Sequence, residues 1–219
     1  MRAFVRSYLD PGDRLGEVLF GLIMVLTITL TTELALEDGR AGARELMIAA
    51  IGCNVAWGVI DGGMYVMGAM LERARRARAI LAVQSAPDEA AALAVVEASL
   101  EGTLVSLQPE EERRRVYRQV REMALGAAPA PTRIEREDLL GGLACLLLVL
   151  LSVVPVVLPF VLIRNPWVAL RVSNGLLVAL LFVTGYEWGR HANTNRWLAG
   201  LVYMAVGLLL VGVAIALGG

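Results

Sequence analysis

Residues 48–78 read IAAIGCNVAWGVIDGGMYVMGAMLERARRAR. The first two thirds are apolar over a length that spans hydrocarbon, because about 20 residues at 1.5 Å each cover ~30 Å. Asn54 and Asp61 interrupt that run. A carboxylate at such a depth costs ~2.5–3.5 kcal/mol on insertion scales, so a chain that keeps one there has a polar partner or passenger for it. No proline or glycine breaks residues 69–86. The helix is therefore expected to run on past the membrane as an arginine-rich stalk.

Working outward, the composition agrees with a membrane setting. Hydrophobic residues make up 57% of the 219, and the mean hydropathy of +0.63 is that of an integral membrane protein. The expected surroundings are a lipid bilayer. A formal net charge of -1 offers no basic surface for nucleic acid, which is not an expected partner. All 20 basic residues are Arg, a usage expected of a GC-rich bacterial genome and hence of an inner (cytoplasmic) membrane address. Cys53 and Cys145 lie in apolar segments and are expected to pack rather than to form a disulfide. The opening MRAFVRSYLDPGDR lacks the apolar core of a signal peptide, so the first span is expected to be retained.

The expected fold is an all-α membrane protein with five transmembrane helices and a small helical cytosolic domain between helices two and three. A polar arm covers residues 1–15. The spans are expected at 13–32, 45–70 (continuing to 84), 139–163, 168–188 and 197–217, with a charged turn over 34–44. Pro155 and Pro159 are expected to bend the third span, since each removes a backbone donor. Two amphipathic helices, 87–104 and 109–125, complete the insert. The corresponding domains are 1–70, 71–137 and 138–219. Arginine placement orients the chain. Arg2, Arg6, Arg14, Arg190, Arg196 and the arginines of the insert fall on one side, and Arg40, Arg44, Arg164 and Arg171 on the other. The positive-inside rule then puts the N-terminus in the cytosol and the C-terminus outside.

Several side chains are candidates for chemistry. Asn54, Asp61 and Met64 or Met67 fall near one helical face, and oxygen plus thioether donors suit Fe²⁺ or Mn²⁺ better than Ca²⁺. Against this, Asp61 could pair with an arginine, and methionines are common core filler. Asp13 and Glu17, four apart at the mouth of helix one, make a carboxylate pair for a hydrated cation, or simply acids favoured by the helix dipole. Glu187 and His191 are spaced for a metal pair or proton relay, and equally for an ordinary ion pair. In the insert, Glu97, Glu101, Glu111 and Glu122 with Met123 are candidates for a cytosolic metal site, although their arginine neighbours also allow a self-paired solvated face. Nucleophile elbow, P-loop, zincin motif and CxxC pair are all missing from the sequence, so neither enzymatic activity nor an organic cofactor is expected.

Three strings carry a resemblance: DRLGEVLFGLIMVLTITLTT at 13–32, GGMYVMGAMLERARR at 62–76 and LVYMAVGLLLVGVAIALGG at 201–219. With a helical cytosolic domain between spans two and three, the layout resembles the vacuolar iron transporter family. Pro11-Gly12-Asp13-Arg14 stands where that family carries Gly-Asn-Asp-Gly, and Asp61-Gly62-Gly63-Met64-Tyr65 where it carries a Met-x-x-Gly-Glu-Tyr-like string. The resemblance implies a homodimer with the ion path at its interface. It also implies divalent metal (Fe²⁺ or Mn²⁺) as the exported substrate, protons as counter-ion, and facing cytosolic glutamates as a metal store. Small-x-x-x-small spacings among Gly58, Gly62, Gly63 and Gly68, and among Gly200, Gly207 and Gly212, allow close helix contact or dimerisation. Two other readings stay open: a membrane-anchored assembly or partner-binding protein with no transport activity, and a channel for another ion or small polar solute.

Overall fold

The computed structural model describes residues 2–31 and 40–216. The expected turn at 34–44 falls mostly outside them, as does Glu33. Every regular element among the described residues is helical: α1 (Arg2–Tyr8), α2 (Pro11–Thr31), α3 (Arg40–Gln84), α4 (Glu89–Leu100), a 3-10 turn (Leu104–Leu107), α5 (Glu110–Gly126), α6 (Arg136–Leu162), α7 (Pro166–His191) and α8 (Arg196–Ala216). The chain divides into two compact units, Met1–Val66 with Arg136–Gly219, and Met67–Glu135; α3 contributes to both.

Among the described residues four helices are long and apolar enough to cross a membrane: Ala41–Gln84, Arg136–Leu162, Pro166–His191 and Arg196–Val213. These are the helices of an integral membrane protein. The first expected span, α2, runs to the edge of the described residues and is not counted among them. Asp13, Arg14 and Glu17 occupy its first two turns, and the uncharged run from Val18 to Thr31 covers only about 20 Å. α2 nevertheless packs against α6, α7 and α8.

The first unit is held by a core drawn from five helices: Leu22, Val25 and Leu26 of α2, Ala50 of α3, Val153 and Val156 of α6, Leu177 and Leu181 of α7, and Val211 of α8. α3 meets α6 at a glycine crossing. A Cβ on Gly62 would sit 2.7 Å from the Gly142 carbonyl oxygen, and a Cβ on Gly142 equally close to that of Gly62. Two backbones approach this closely only where neither residue carries a side chain. α3 buries a narrow stripe of every fourth residue, Leu46, Ala50, Asn54, Gly58 and Gly62, and exposes Ile51, Val55, Val59, Ile60, Met64 and Met67. α6 is one helix through Pro155 and Pro159.

The N-terminal arm, read as polar from the sequence, is helical over most of its length. Phe4, Val5, Tyr8 and Leu9 recur at helical spacing, so the arm coils into α1 and lays Val5 and Leu9 on Ala144 and Cys145 of α6.

In the second unit Val83, Ala92, Val96 and Tyr117 form a small buried cluster. Asp88 caps α4 by accepting a hydrogen bond from the Ala91 amide at 2.8 Å. α4 stops at Leu100 rather than near residue 104, because Gly102 takes a left-handed conformation (φ 77°) and breaks the helix. Leu104, the expected end of that helix, is exposed.

Candidate functional site

Three helices of the membrane unit bring acids and other polar groups together. α6 carries Asp138, Cys145 and Ser152, each two turns after the last and all three buried. α3 carries Asn54 and Asp61 at the same two-turn spacing, and α2 carries Glu17 and, one turn on, Gly21. Seven residues make almost two full turns, so each set stays on one helical face.

At the level of Glu17, its carboxyl has the Asp61 carboxyl and the Cys145 thiol as close polar neighbours. Asp61 is half-buried, and its Oδ2 is buried without a partner. Among the described residues neither acid makes an ion pair. Tyr65, one turn beyond Asp61, donates its hydroxyl to the Tyr8 carbonyl at 3.0 Å and closes the cluster on the side of α1. Asp13 lies nearby, with its amide bound by the Asp10 carboxylate at 2.9 Å.

Two turns deeper, Asn54 is completely buried. Its Nδ2 donates to the Ala50 carbonyl at 2.9 Å, while its Oδ1 has no partner. Ser152 turns its hydroxyl back onto the Val149 carbonyl at 2.7 Å. The two side chains face each other across Gly21. A Cβ there would lie 3.3 Å from Asn54 Oδ1 and would collide with Ser152 Oγ. Gly21 thus keeps a polar row open between the acid pair and the amide. Beyond it the Leu22, Val25, Leu26, Val153 and Val156 core closes the bundle.

The predicted candidates divide accordingly. Glu17, Asp61 and Asn54 line one row, with Asp13 at its mouth. Met64 and Met67 stand on the exposed outer side of α3, away from that row within one chain. The sequence reading missed Cys145, Tyr65, Ser152 and Gly21. A signal existed for two of them, since Asp138, Cys145 and Ser152 repeat every seven residues along α6, a polar stripe in an otherwise apolar helix.

Glu187 and His191 do not face a common point. The Glu187 carboxylate pairs with Arg190 at 3.2 Å, and the His191 Nδ1 sits 2.8 Å from the Glu187 carbonyl oxygen. In the second unit Glu97, Glu101, Glu111, Glu122 and Met123 are all exposed. Glu97 lines a cleft with Glu89 and Glu110, and Arg113, Arg114 and Arg118 line it too. Arg114 pairs with Glu110, and Arg121 with Glu89. Among the described residues no three His, Cys, Asp or Glu side chains come close enough to hold a metal ion by themselves.

The chain matches no protein-family model and no curated protein sequence.

The acid pair sets the chemistry. Two neighbouring, part-buried carboxyls favour a cation or a proton between them, because like charges repel more strongly where water is partly excluded. At the level of Glu17 the candidate oxygen donors are two carboxyls, and Asn54 Oδ1 lies two turns deeper as a separate donor. The described side chains do not by themselves make a metal-holding set, so a cation held there would take most of its ligands from water.

Proposed function

We propose that this protein is a membrane transporter that carries a divalent transition metal, Fe²⁺ or Mn²⁺, out of the cytosol in exchange for protons. Glu17 and Asp61 are the exchange site, Asp13 gathers ions at the mouth, and Asn54 is the next oxygen donor along the row. α2 acts as the first of five spans, with the N-terminus in the cytosol. Its shorter uncharged run suits a helix whose first two turns line a polar entrance rather than lipid. The working unit is a homodimer formed through the exposed face of α3. In such a dimer Met64 and Met67 meet a second copy instead of lipid and lie at its interface.

One observation carries the reading. Asp61 is answered by another carboxyl, not by a guanidinium, and a carboxyl pair of that kind takes up a divalent cation as it gives up protons. The buried core beyond Asn54 then belongs to the conformation closed on the far side. Purified protein in detergent tests this directly. Mn²⁺ titration should bind and release protons in the wild type, and both signals should be lost in Asp61→Asn and in Glu17→Gln. Unchanged Mn²⁺ binding in Asp61→Asn would contradict the assignment.

The same closed core favours one competing reading, a static carboxyl pair that holds α2 to α3 through a shared proton. On that reading Asp61→Asn alters thermal stability, and neither chain responds to metal.

A further inference from the structure

A second polar site lies where the end of α7 meets α1 and the start of α2. Arg6 of α1, Arg14 of α2, and Arg190 and His191 of α7 line a cleft of about 220 Å³ there, with Glu187 as its single carboxylate. Glu187 is already paired with Arg190. Arg6 and Arg14 have no acidic partner among the described residues. Two guanidiniums therefore converge on a small space with their charge unanswered. The cleft is below the ~300 Å³ at which pockets for drug-sized organic ligands begin, and so suits a compact anion.

The surroundings indicate where that anion comes from. Trp188 lies in the last turn of α7, and Trp197 in the first turn of α8. Trp197 packs against Phe182 and Tyr186, and Trp188 against Tyr203. Both tryptophans are exposed. An exposed aromatic belt at the ends of spanning helices marks the headgroup level of a bilayer. α1 and the residue after it bury Val5 and Leu9 against α6 and leave Arg6 exposed.

We infer that Arg6, Arg14, Arg190 and His191 form a binding site for a phosphate group, supplied by the headgroup of an anionic phospholipid. Arginine offers paired donors to phosphate oxygens, and clustered basic side chains at the cytoplasmic ends of spanning helices are matched to anionic lipid. The site shares α2 with the acid row, Arg14 standing between Asp13 and Glu17, but it does not rest on transport.

The test is retention of lipid by the full chain in nanodiscs of phosphatidylcholine alone or with phosphatidylglycerol, read by native mass spectrometry and thermal shift. Phosphatidylglycerol should be retained and should raise the Tm of the wild type. Arg6→Gln/Arg14→Gln should weaken that retention at least about tenfold, and Glu187→Gln should strengthen it by removing the one opposing charge. A variant that fails to fold cannot mimic this pair of opposite effects. A matching response to inorganic phosphate in phosphatidylcholine discs, with none to phosphatidylglycerol, would keep the phosphate site and reassign its source to the aqueous phase. Equal phosphatidylglycerol retention by the wild type and both variants would overturn the site.

Discussion

At the scale of single residues, position and neighbour decide what a polar side chain does. Asp61 stands out in the sequence because it interrupts an apolar run, and Glu17 because it sits inside a helix end. That the two carboxyls meet could not be read from either helix alone, since their contact depends on how α2 and α3 pack on α6. Cys145 shows the same limit. A cysteine in an apolar segment is usually packing, and only the buried stripe of Asp138, Cys145 and Ser152 reveals that this one faces a polar row. Gly21 gives the sharpest local test. Gly21→Ala should lower stability by ~1–3 kcal/mol, the usual cost of overpacking, because its methyl would collide with Ser152 Oγ. Removing that hydroxyl as well, in Gly21→Ala/Ser152→Ala, should restore most of the loss in a thermal melt. The exposed glutamates of the second unit should behave differently. Glu97→Gln and Glu122→Gln should leave Mn²⁺ binding by the whole protein within about twofold, since exposed, arginine-flanked carboxylates add little.

At the scale of elements, the helices were legible where period and length spoke clearly. The apolar run of α6 and the long continuation of α3 to Gln84 both follow from local sequence. The misses lie where short-range signals compete. α1 was hidden because seven residues rarely hold a helix without tertiary contacts, and here α6 supplies them. α4 ended early because one glycine outweighed a continuing apolar stripe. The α3–α6 crossing yields a prediction of its own. Gly62→Ala should lower the Tm, because the added Cβ meets a backbone carbonyl that cannot turn away. Gly63→Ala, with nothing within 4 Å of the new Cβ, should leave the Tm unchanged or raised, as alanine is the better helix former. Equal effects at the two sites would mean that the helices do not cross as described. In the second unit, Asp88→Ala should remove the α4 cap at a cost of ~1 kcal/mol, seen as faster amide exchange at Ala91 and Ala92.

At the scale of the whole molecule, an apolar chain with charge gathered at helix ends announced a membrane protein, and among the described residues four helices meet the length and composition that this requires. Whether α2 also spans was not decidable from hydropathy, because the charges that would line an entrance also shorten the apolar run. A homodimer through α3 predicts that Val59→Cys, on the exposed face of that helix, cross-links two copies in the membrane in a Cys53→Ser background. Cysteine placed at Leu177, inside the core, should not cross-link. The most direct measurement is Mn²⁺ flux into proteoliposomes under an imposed pH gradient. Wild-type flux should follow the gradient and carry protons in the opposite direction. Asp61→Asn and Glu17→Gln should each lower it at least tenfold, and the double variant should be little worse than either single one, since the two carboxyls act as a unit. Wild-type flux that persists undiminished in Asp61→Asn would remove the acid pair from the path.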